Sequence, residues 1–156
     1  MSRGLGDVYK RQVSTLESMA YNFLSTDCIV CAVMDARCSQ VYNALFEIKN
    51  GVVTRLCDDR ALSLDDLKNE LLSVEGRIII AGDGTDITCK YIGNEIKNAE
   101  SAPVNLKYQR ASSTALVAFE MINNGQTVSA QELMPVYLRL PQAQRELNKK
   151  LGGRTK

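Results

Sequence analysis

The sequence predicts an α/β fold in which a three-stranded antiparallel meander is followed by helices that alternate with strands. The nearly continuous apolar run over residues 28–34 is typical of a strand buried on both faces. Asn50-Gly51 lies between two segments rich in β-branched and aromatic residues, which predicts a tight hairpin. Further along, capping serines and short apolar runs alternate, which favours parallel strands joined by right-handed crossovers.

The individual elements follow from local patterns of capping, turn and apolar residues. Ser14 or Thr15 caps the first helix, Ser63 caps the second, and Ser112 or Ser113 caps the last, which stops at Gly125. The predicted helices are 16–23, 64–73, 85 to about 97, and 112 or 113 to 123; the predicted strands are 27–35, 41–48, 52–57, 77–81 and 104–108.

This order predicts a ribonuclease H-like lobe of the actin-like ATPase superfamily type, with a mixed five-stranded sheet flanked by helices. In the last helix, Leu116, Phe119 and Ile122 recur at helical spacing and are predicted to face the core.

Composition restricts the functional classes. The 156 residues are 45% hydrophobic and 24% charged, which fits one globular domain, and a net charge of +1 gives no overall attraction to nucleic acid or membrane. The sequence contains neither a run of about 18–20 apolar residues that could span a bilayer nor a secretory signal. Five scattered cysteines predict a reducing, cytoplasmic setting, and the absence of histidine removes the commonest general base.

The chain divides into three predicted parts. Residues 1–12 carry no periodic pattern and are predicted to be a non-native leader. Residues 13–140 form the predicted domain. Residues 141–156 form a basic tail: from Arg139 onward there are six Lys or Arg and one acidic residue. A solvated tail is favoured over one that touches RNA.

Two loops are candidate ligand sites. Asp35 and Arg37 lie where the first strand turns into the second, a place at which related folds hold phosphate through backbone amides. The alternative is that Asp35 caps the turn and pairs with Arg37. Gly82, Asp83 and Gly84 follow a buried strand and precede a helix, which suits an anion or adenosine, although a plain strand-to-helix turn is favoured.

A nuclease is the enzymatic alternative. Asp35, Glu70 and Asp83 lie on elements that could gather divalent metal ions. Glu70, however, lies beside the apolar face of its helix rather than clearly inside a cleft. Cys28 and Cys31 have metal-ligand spacing, but residues three apart on a strand point to opposite faces, which predicts a structural role.

Pro135 and Pro141 bracket an extended crossing near the C-terminus. Proline disfavours helix in the residue before it and donates no backbone hydrogen bond. Tyr137 and Arg139, held within this crossing, are predicted to pack on and tie down another element.

Three motifs occur in order: Val-Ser-Thr-Leu-Glu at 13–17, Val-Met-Asp-Ala-Arg at 33–37 followed by Val41-Tyr42, and Pro-Val-Tyr-Leu-Arg at 135–139. Together they resemble the TsaB family, also called YeaZ, of bacterial Gcp-like proteins. The resemblance covers residues 13 to about 146. Where the family usually continues with Arg, Gly and Glu, this chain has Cys38, Ser39 and Gln40, which puts a ligand role for this loop in doubt.

The resemblance implies a non-catalytic dimerisation and activating subunit that supports TsaD, with TsaE and TsaC, in threonylcarbamoyl modification of the adenosine beside the anticodon of tRNA. It implies no catalytic residue, no metal and no cofactor of the chain's own, while leaving open ATP binding by the intact complex and a homodimer. Contact with tRNA would be indirect. The chain would be the C-terminal lobe only, and the helix at 16–23 and the outer sheet face would expose apolar area and promote self-association.

Overall fold

A computed structural model of the protein describes residues 12–128 and residue 138. The predicted leader, apart from Gln12, and the predicted basic tail lie outside the described residues. So do Pro135, Tyr137 and Arg139, so that the role of the proline-bracketed crossing stays a prediction.

The described chain contains four α-helices, one short 3₁₀ turn and six strands. They are α1 (Thr15–Ala20), the 3₁₀ turn Tyr21–Phe23, β1 (Cys28–Arg37), β2 (Gln40–Lys49), β3 (Val52–Arg55), β4 (Arg60–Ser63), α2 (Leu64–Leu71), β5 (Ile78–Ala81), α3 (Thr85–Ile92), β6 (Ala99–Ser101) and α4 (Ala111–Asn123). Ser14 caps α1 and Ser63 caps α2, each by accepting a backbone N–H of the first turn.

The strands form one mixed sheet in the order β3-β2-β1-β5-β6, with β4 also paired to β2. The meander β1-β2-β3 is antiparallel, and β5 runs parallel to both β1 and β6. Asn50 and Gly51 turn the β2–β3 hairpin with φ of 52° and 75°, the left-handed conformation that this pair favours. The predicted α/β, ribonuclease H-like topology is confirmed.

Helices cover both faces of the sheet. Val30 and Ala32 of β1 pack with Met19 of α1 on one face, whereas Cys31 and Val33 pack with the second helical layer on the other. This second layer supplies Leu64, Leu67 and Leu71 from α2 and Ile92 from α3. Because β1 is covered on both sides, its apolar run is continuous rather than alternating.

The expectation that the first helix exposes apolar surface is wrong. Leu16 and Met19 are 3% and 2% exposed, and Phe23 is also buried. The helix lies between the sheet and α4, so the fold itself covers the face that was assigned to a missing lobe.

The sheet has six strands in the described part of the chain, not the predicted five, because two edge regions were misassigned. The predicted strand at 104–108 is a turn in which Leu106 N–H donates to Pro103 C=O at 2.8 Å. The strand lies earlier, at β6, because α3 ends at Gly93 (φ 54°) rather than near Lys97 and the chain returns to the sheet sooner. The predicted strand at 52–57 ends earlier, at Arg55, and the sixth strand is β4, which the sequence did not predict and which pairs with β2.

The predicted core face of α4 is wrong as well. Leu116, Phe119 and Ile122 are 47%, 62% and 56% exposed, whereas Val117 and Ser113 are buried. Helical periodicity shows that a stripe exists but not which side of the helix meets the sheet. Arg110 occupies the N-cap position without a side-chain bond, and the Ser113 hydroxyl instead donates to Asn22 Oδ1 at 2.6 Å.

Candidate functional site

Two loops that were predicted as candidate sites lie side by side. Asp35 is near the end of β1, and Gly82-Asp83-Gly84 follows β5; the two strands are parallel neighbours, so their carboxyl ends share one edge. The Asp35 N–H donates to Asp83 Oδ1 at 3.1 Å. The structure therefore joins Asp35, Gly82, Asp83 and Gly84 into one site.

The β1–β2 turn is closed by its own carboxylate. Asp35 Oδ1 accepts the Arg37 backbone N–H at 2.7 Å, so the two residues pair through the main chain. Arg37, Cys38 and Ser39 have φ of 63°, 54° and 56°, a run in which glycine would be the unstrained choice. This turn places side chains where a phosphate-binding loop would present glycines, and Cys38 is exposed.

Close packing of the β5–α3 loop on β1 requires a glycine at Gly82 and leaves little room for a side chain at Gly84. A Cβ at Gly82, where φ is 119°, would lie 1.9 Å from Val33 O; one at Gly84 would lie 3.1 Å from Met34 C. The Gly82 N–H donates to Lys107 C=O at 2.7 Å, and the Gly84 N–H donates to Val33 C=O at 3.3 Å. These two amides already serve the protein's own carbonyls, so the glycines have a structural role that accounts for them.

An ion pair without any local sequence signal borders this loop. Lys107 Nζ lies 2.6 Å from Asp86 Oδ1, near the start of α3, and 5.7 Å from the centroid of the Tyr108 ring. The hydrogen bond to Asp86 raises the pKa of Lys107. The site therefore combines two neighbouring aspartates with an ion pair, Lys107 with Asp86, next to the loop.

Glu70, the third member of the nuclease hypothesis, is engaged elsewhere. Its Oε2 accepts from Arg60 Nη2 at 2.6 Å, and Arg60 also donates to Asn43 Oδ1 at 3.1 Å. Asn43 is fully buried and donates to Ala32 C=O at 3.0 Å. Among the described residues, no group of three or more His, Cys, Asp or Glu side chains is arranged to hold a metal ion.

Cys28 and Cys31 lie on opposite faces of β1, as the strand geometry predicts. Cys28 packs in the cluster with α1, and Cys31 packs in the cluster with α2. Burial raises the pKa of both thiols, which keeps them protonated at neutral pH. Both cysteines are part of the core.

A second polar cluster ties β3 to α1. Arg55 lies over the Phe46 ring, 4.7 Å from its centroid, and pairs with Glu17 at 2.8 Å and Asp59 at 2.6 Å. Asp59 in turn accepts from the Ser14 hydroxyl at 2.5 Å. The contacts of Arg55 with Glu17 and of Ser14 with Asp59 join residues far apart in the sequence, and they fix the beginning of the domain to its meander.

Polar contacts also fix α4 to the start of the domain. The Tyr21 hydroxyl donates to Glu120 Oε2 at 2.5 Å. Asn22 Nδ2 donates to Leu106 C=O at 2.8 Å and Tyr108 C=O at 2.9 Å. The face of α4 that carries Val117 and Glu120 therefore meets α1 and the 3₁₀ turn.

Stability should fall with rising pH above about 10, partly because of Tyr21. Burial, and then the hydrogen bond to Glu120, raises the pKa of Tyr21 above its ordinary value near 10. Its stabilising effect is complete below the unfolded-state pKa and is lost as pH rises toward the folded-state pKa. Above about pH 10, Tyr21 should contribute a slope approaching about 1.4 kcal/mol per pH unit.

Denaturant unfolding between pH 9 and 11.5 measures this slope. Tyr21→Phe should flatten it, because phenylalanine lacks the titrating hydroxyl. Equal slopes for Tyr21→Phe and the parent chain would contradict the assignment.

Comparison with known proteins finds similar proteins both by sequence and by structure. The chain is 26% identical over 139 residues to the tRNA threonylcarbamoyladenosine biosynthesis protein TsaB of Bacillus subtilis (strain 168), a match that covers 88% of this chain and 59% of TsaB. The resemblance to the TsaB (YeaZ) family is confirmed. No family model matches the chain.

Two solved structures from Pseudomonas aeruginosa share the fold, and each match covers 81% of this chain and 57% of the other. An uncharacterized protein with similarity to peptidase YEAZ has a TM-score of 0.60 at 20% identity. YeaZ itself has a TM-score of 0.57 at 19% identity. The chain thus spans less than two thirds of the length of each of these TsaB and YeaZ relatives.

In the described part of the chain, no helix combines the length and the apolar character that a membrane span needs.

Proposed function

We propose that this chain is the C-terminal lobe of a TsaB-like subunit that takes part in threonylcarbamoyladenosine biosynthesis on tRNA. The observation that carries the proposal is the sequence match to TsaB, which runs through 88% of the chain. The shared α/β topology agrees with it. The site of this work would be the cytoplasm.

The proposed role is non-catalytic. The hydrogen bonds of the Asp35–Asp83 site support this role, because they are made within the protein. The Gly82 and Gly84 amides donate to backbone carbonyls, and the Asp35 carboxylate accepts from the Arg37 backbone N–H. No cofactor is assigned to the chain itself, and ATP binding is left to the intact complex. The subunit would act by holding a partner in a competent arrangement. Its contribution would be the binding free energy of an apolar interface, and it would catalyse no chemical step itself.

The partners proposed for the intact parent are TsaD, which it would activate, and TsaE. A second copy of the subunit is the further proposed partner, and tRNA would be reached only through the complex. These partners follow from the resemblance to TsaB, of which this chain spans 59%.

A metal-dependent nuclease or nucleotide hydrolase remains the second candidate. The contact between Asp35 N–H and Asp83 Oδ1 favours it, because it brings two predicted carboxylates to one edge of the sheet. The pairing of Glu70 with Arg60 argues against it, since the third carboxylate serves a different cluster.

The two functions are separated by assaying the purified chain for Mg²⁺-dependent cleavage of RNA and for ATP turnover. We expect neither activity above a protein-free control, and Asp35→Asn should behave as the parent does. A turnover that is present in the parent and lost in Asp35→Asn would overturn the non-catalytic role. Glu100→Gln is the matched control, because it removes an exposed carboxylate that pairs with Arg77 and is not part of the nuclease hypothesis.

A further inference from the structure

One long side of α4 is exposed in the described part of the chain. Phe119 and Ile122 are 62% and 56% exposed, and Ala111 and Ala115 are exposed as well. These four residues share one side of the helix because they recur at spacings of three and four. The opposite side carries Val117, which is buried where α4 meets α1. We call Ala111, Ala115, Phe119 and Ile122 the α4 seam.

The α4 seam carries no charge. Over Ala111–Asn123 the helix has one ionisable side chain, Glu120, and its carboxylate accepts the Tyr21 hydroxyl of the same domain at 2.5 Å. A neutral apolar surface can meet a copy of itself without the like-charge repulsion that a charged surface would cause. The charge pattern of α4 therefore allows the seam to pair with itself.

Side-chain size changes along the seam in a way that suits an antiparallel pair of helices. The N-terminal half presents Ala111 and Ala115, and the C-terminal half presents Phe119 and Ile122. When two copies of α4 lie antiparallel about a two-fold axis at the level of Val117, Phe119 of each copy faces Ala115 of the other. Ile122 lies close to Ala111 in the same way. Large side chains then fill the space beside small ones, as in well-packed helix pairs.

The charges at the helix ends favour the same orientation. Arg110 is exposed at the N-cap position of α4 and makes no side-chain capping bond. A cation at this position lies at the positive end of its own helix dipole, which is unfavourable. In the antiparallel pair, Arg110 of each copy lies beside the C-terminal end of the other helix, at Asn124, where the dipole is negative. A parallel pair would instead bring the two Arg110 side chains together.

The available area fits a weak dimer. Two 13-residue helices that pack along their length of about 20 Å would bury on the order of 1,000 Å² in total, the lower end of specific interfaces. Leu116, which is 47% exposed beside the seam, adds to the apolar area. Leu138, which the structure also describes, leaves Phe119 mostly exposed, so it is not the residue that covers the seam.

We propose that two copies of this chain pair through the α4 seam, with their α4 helices antiparallel. The pairing gives a surface to the second copy that is already proposed as a partner, and it rests on that part of the proposed function. Sedimentation tests the pairing, whereas the modification of tRNA tests the TsaB-like role. A failure of one is therefore distinguishable from a failure of the other.

Sedimentation of the full chain from about 1 µM to about 1 mM measures the pairing. The parent should pass from monomer to dimer as the concentration rises. Phe119→Asp should raise the dissociation constant of the dimer at least about tenfold, because it places a charge in the middle of an apolar contact. Val104→Asp is the matched control: Val104 is 84% exposed and lies outside α4, so this variant should dimerise as the parent does.

Two further charge variants test the antiparallel orientation. Asn124→Glu should lower the dissociation constant about two- to fivefold, because the new carboxylate meets Arg110 of the other copy. Arg110→Glu should raise the dissociation constant while leaving the monomer at least as stable as the parent, since an acidic side chain suits the start of a helix. This combination separates a lost contact between copies from a loss of folding.

Four results would overturn the proposal. A parent that stays monomeric over the whole concentration range would remove the dimer, and association that Phe119→Asp leaves unchanged would place the contact elsewhere. A Phe119→Asp monomer that unfolds more readily than the parent monomer would assign the seam to residues of the same chain. An Asn124→Glu variant that dimerises more weakly than the parent would exclude the antiparallel arrangement.

Discussion

Replacing Gly82 with alanine should lower the free energy of unfolding by about 3–5 kcal/mol, the sum of a backbone strain and a steric clash of the usual sizes. The new Cβ would lie 1.9 Å from Val33 O and 3.2 Å from Met19 Sδ, and φ at this position is 119°. Neither neighbour can retreat easily, because Val33 is in the central strand β1 and Met19 is 2% exposed. The loop that carries Asp83 would have to separate from β1.

Gly76→Ala is the matched control. Gly76 also has a positive φ, of 87°, but nothing lies within 4 Å of its added Cβ, so it should cost only about 1–2 kcal/mol of backbone strain. Urea denaturation followed by circular dichroism measures both variants. Equal losses for Gly82→Ala and Gly76→Ala would show that the loop is not packed on β1 as described.

Leu67→Ala should cost about 2–5 kcal/mol of stability, the range for removing a fully buried leucine side chain. Leu67 is 0% exposed and lies in the middle of α2, where it packs on the sheet face formed by Cys31, Val33 and Ile80. The truncation leaves a cavity at the centre of one helical layer, and the surrounding strands are too well paired to close it.

Leu72→Ala is the natural comparison because Leu72 directly follows α2 and is 55% exposed. It should change stability by less than about 0.5 kcal/mol. Urea denaturation followed by circular dichroism measures the stability loss of both variants. If Leu72→Ala proved as costly as Leu67→Ala, the orientation of α2 on the sheet would be wrong.

Local signals predicted most of the topology because each acts over a few residues. Ser63 accepts the Asp66 N–H at 3.1 Å, as expected of a helix cap, and Asn50-Gly51 turns the hairpin. The β1 run reads as a doubly covered strand because helices lie on both of its faces. Capping, turns and burial pattern were therefore sufficient for the antiparallel meander and for the parallel pairing of β1 with β5, although they missed β4 and misplaced β6.

The wrong predictions concern features that tertiary contacts determine: the buried side of α4 and the position of the last strand. The periodicity of α4 gives two apolar sides, and the contacts of Tyr21 with Glu120 and of Asn22 with Ser113 select the side that carries Val117. Residues 104–108 have the apolar pattern of a strand. Because α3 ends early, at Gly93, the chain returns to the sheet before this segment and forms β6 there.

The sequence predicted the two candidate loops but not the contacts between them. Parallel strands brought Asp35 and the 82–84 loop to one edge, as the topology requires. The clash that makes Gly82 obligatory and the ion pair of Lys107 with Asp86 involve residues far apart in the sequence. No spacing rule connects them, and only the folded arrangement of β1 with the 82–84 loop reveals them.

The most direct test of the proposed function is a chimera in which residues 13–140 of this chain replace the matching part of Bacillus subtilis TsaB. Mass spectrometry of digested tRNA from cells depleted of their own TsaB measures threonylcarbamoyladenosine. We expect the chimera to restore the modification, and an Asp35→Asn version to restore it equally, since the lobe acts by contact. A folded, expressed chimera that leaves tRNA unmodified, or one that depends on the Asp35 carboxylate, would contradict this account.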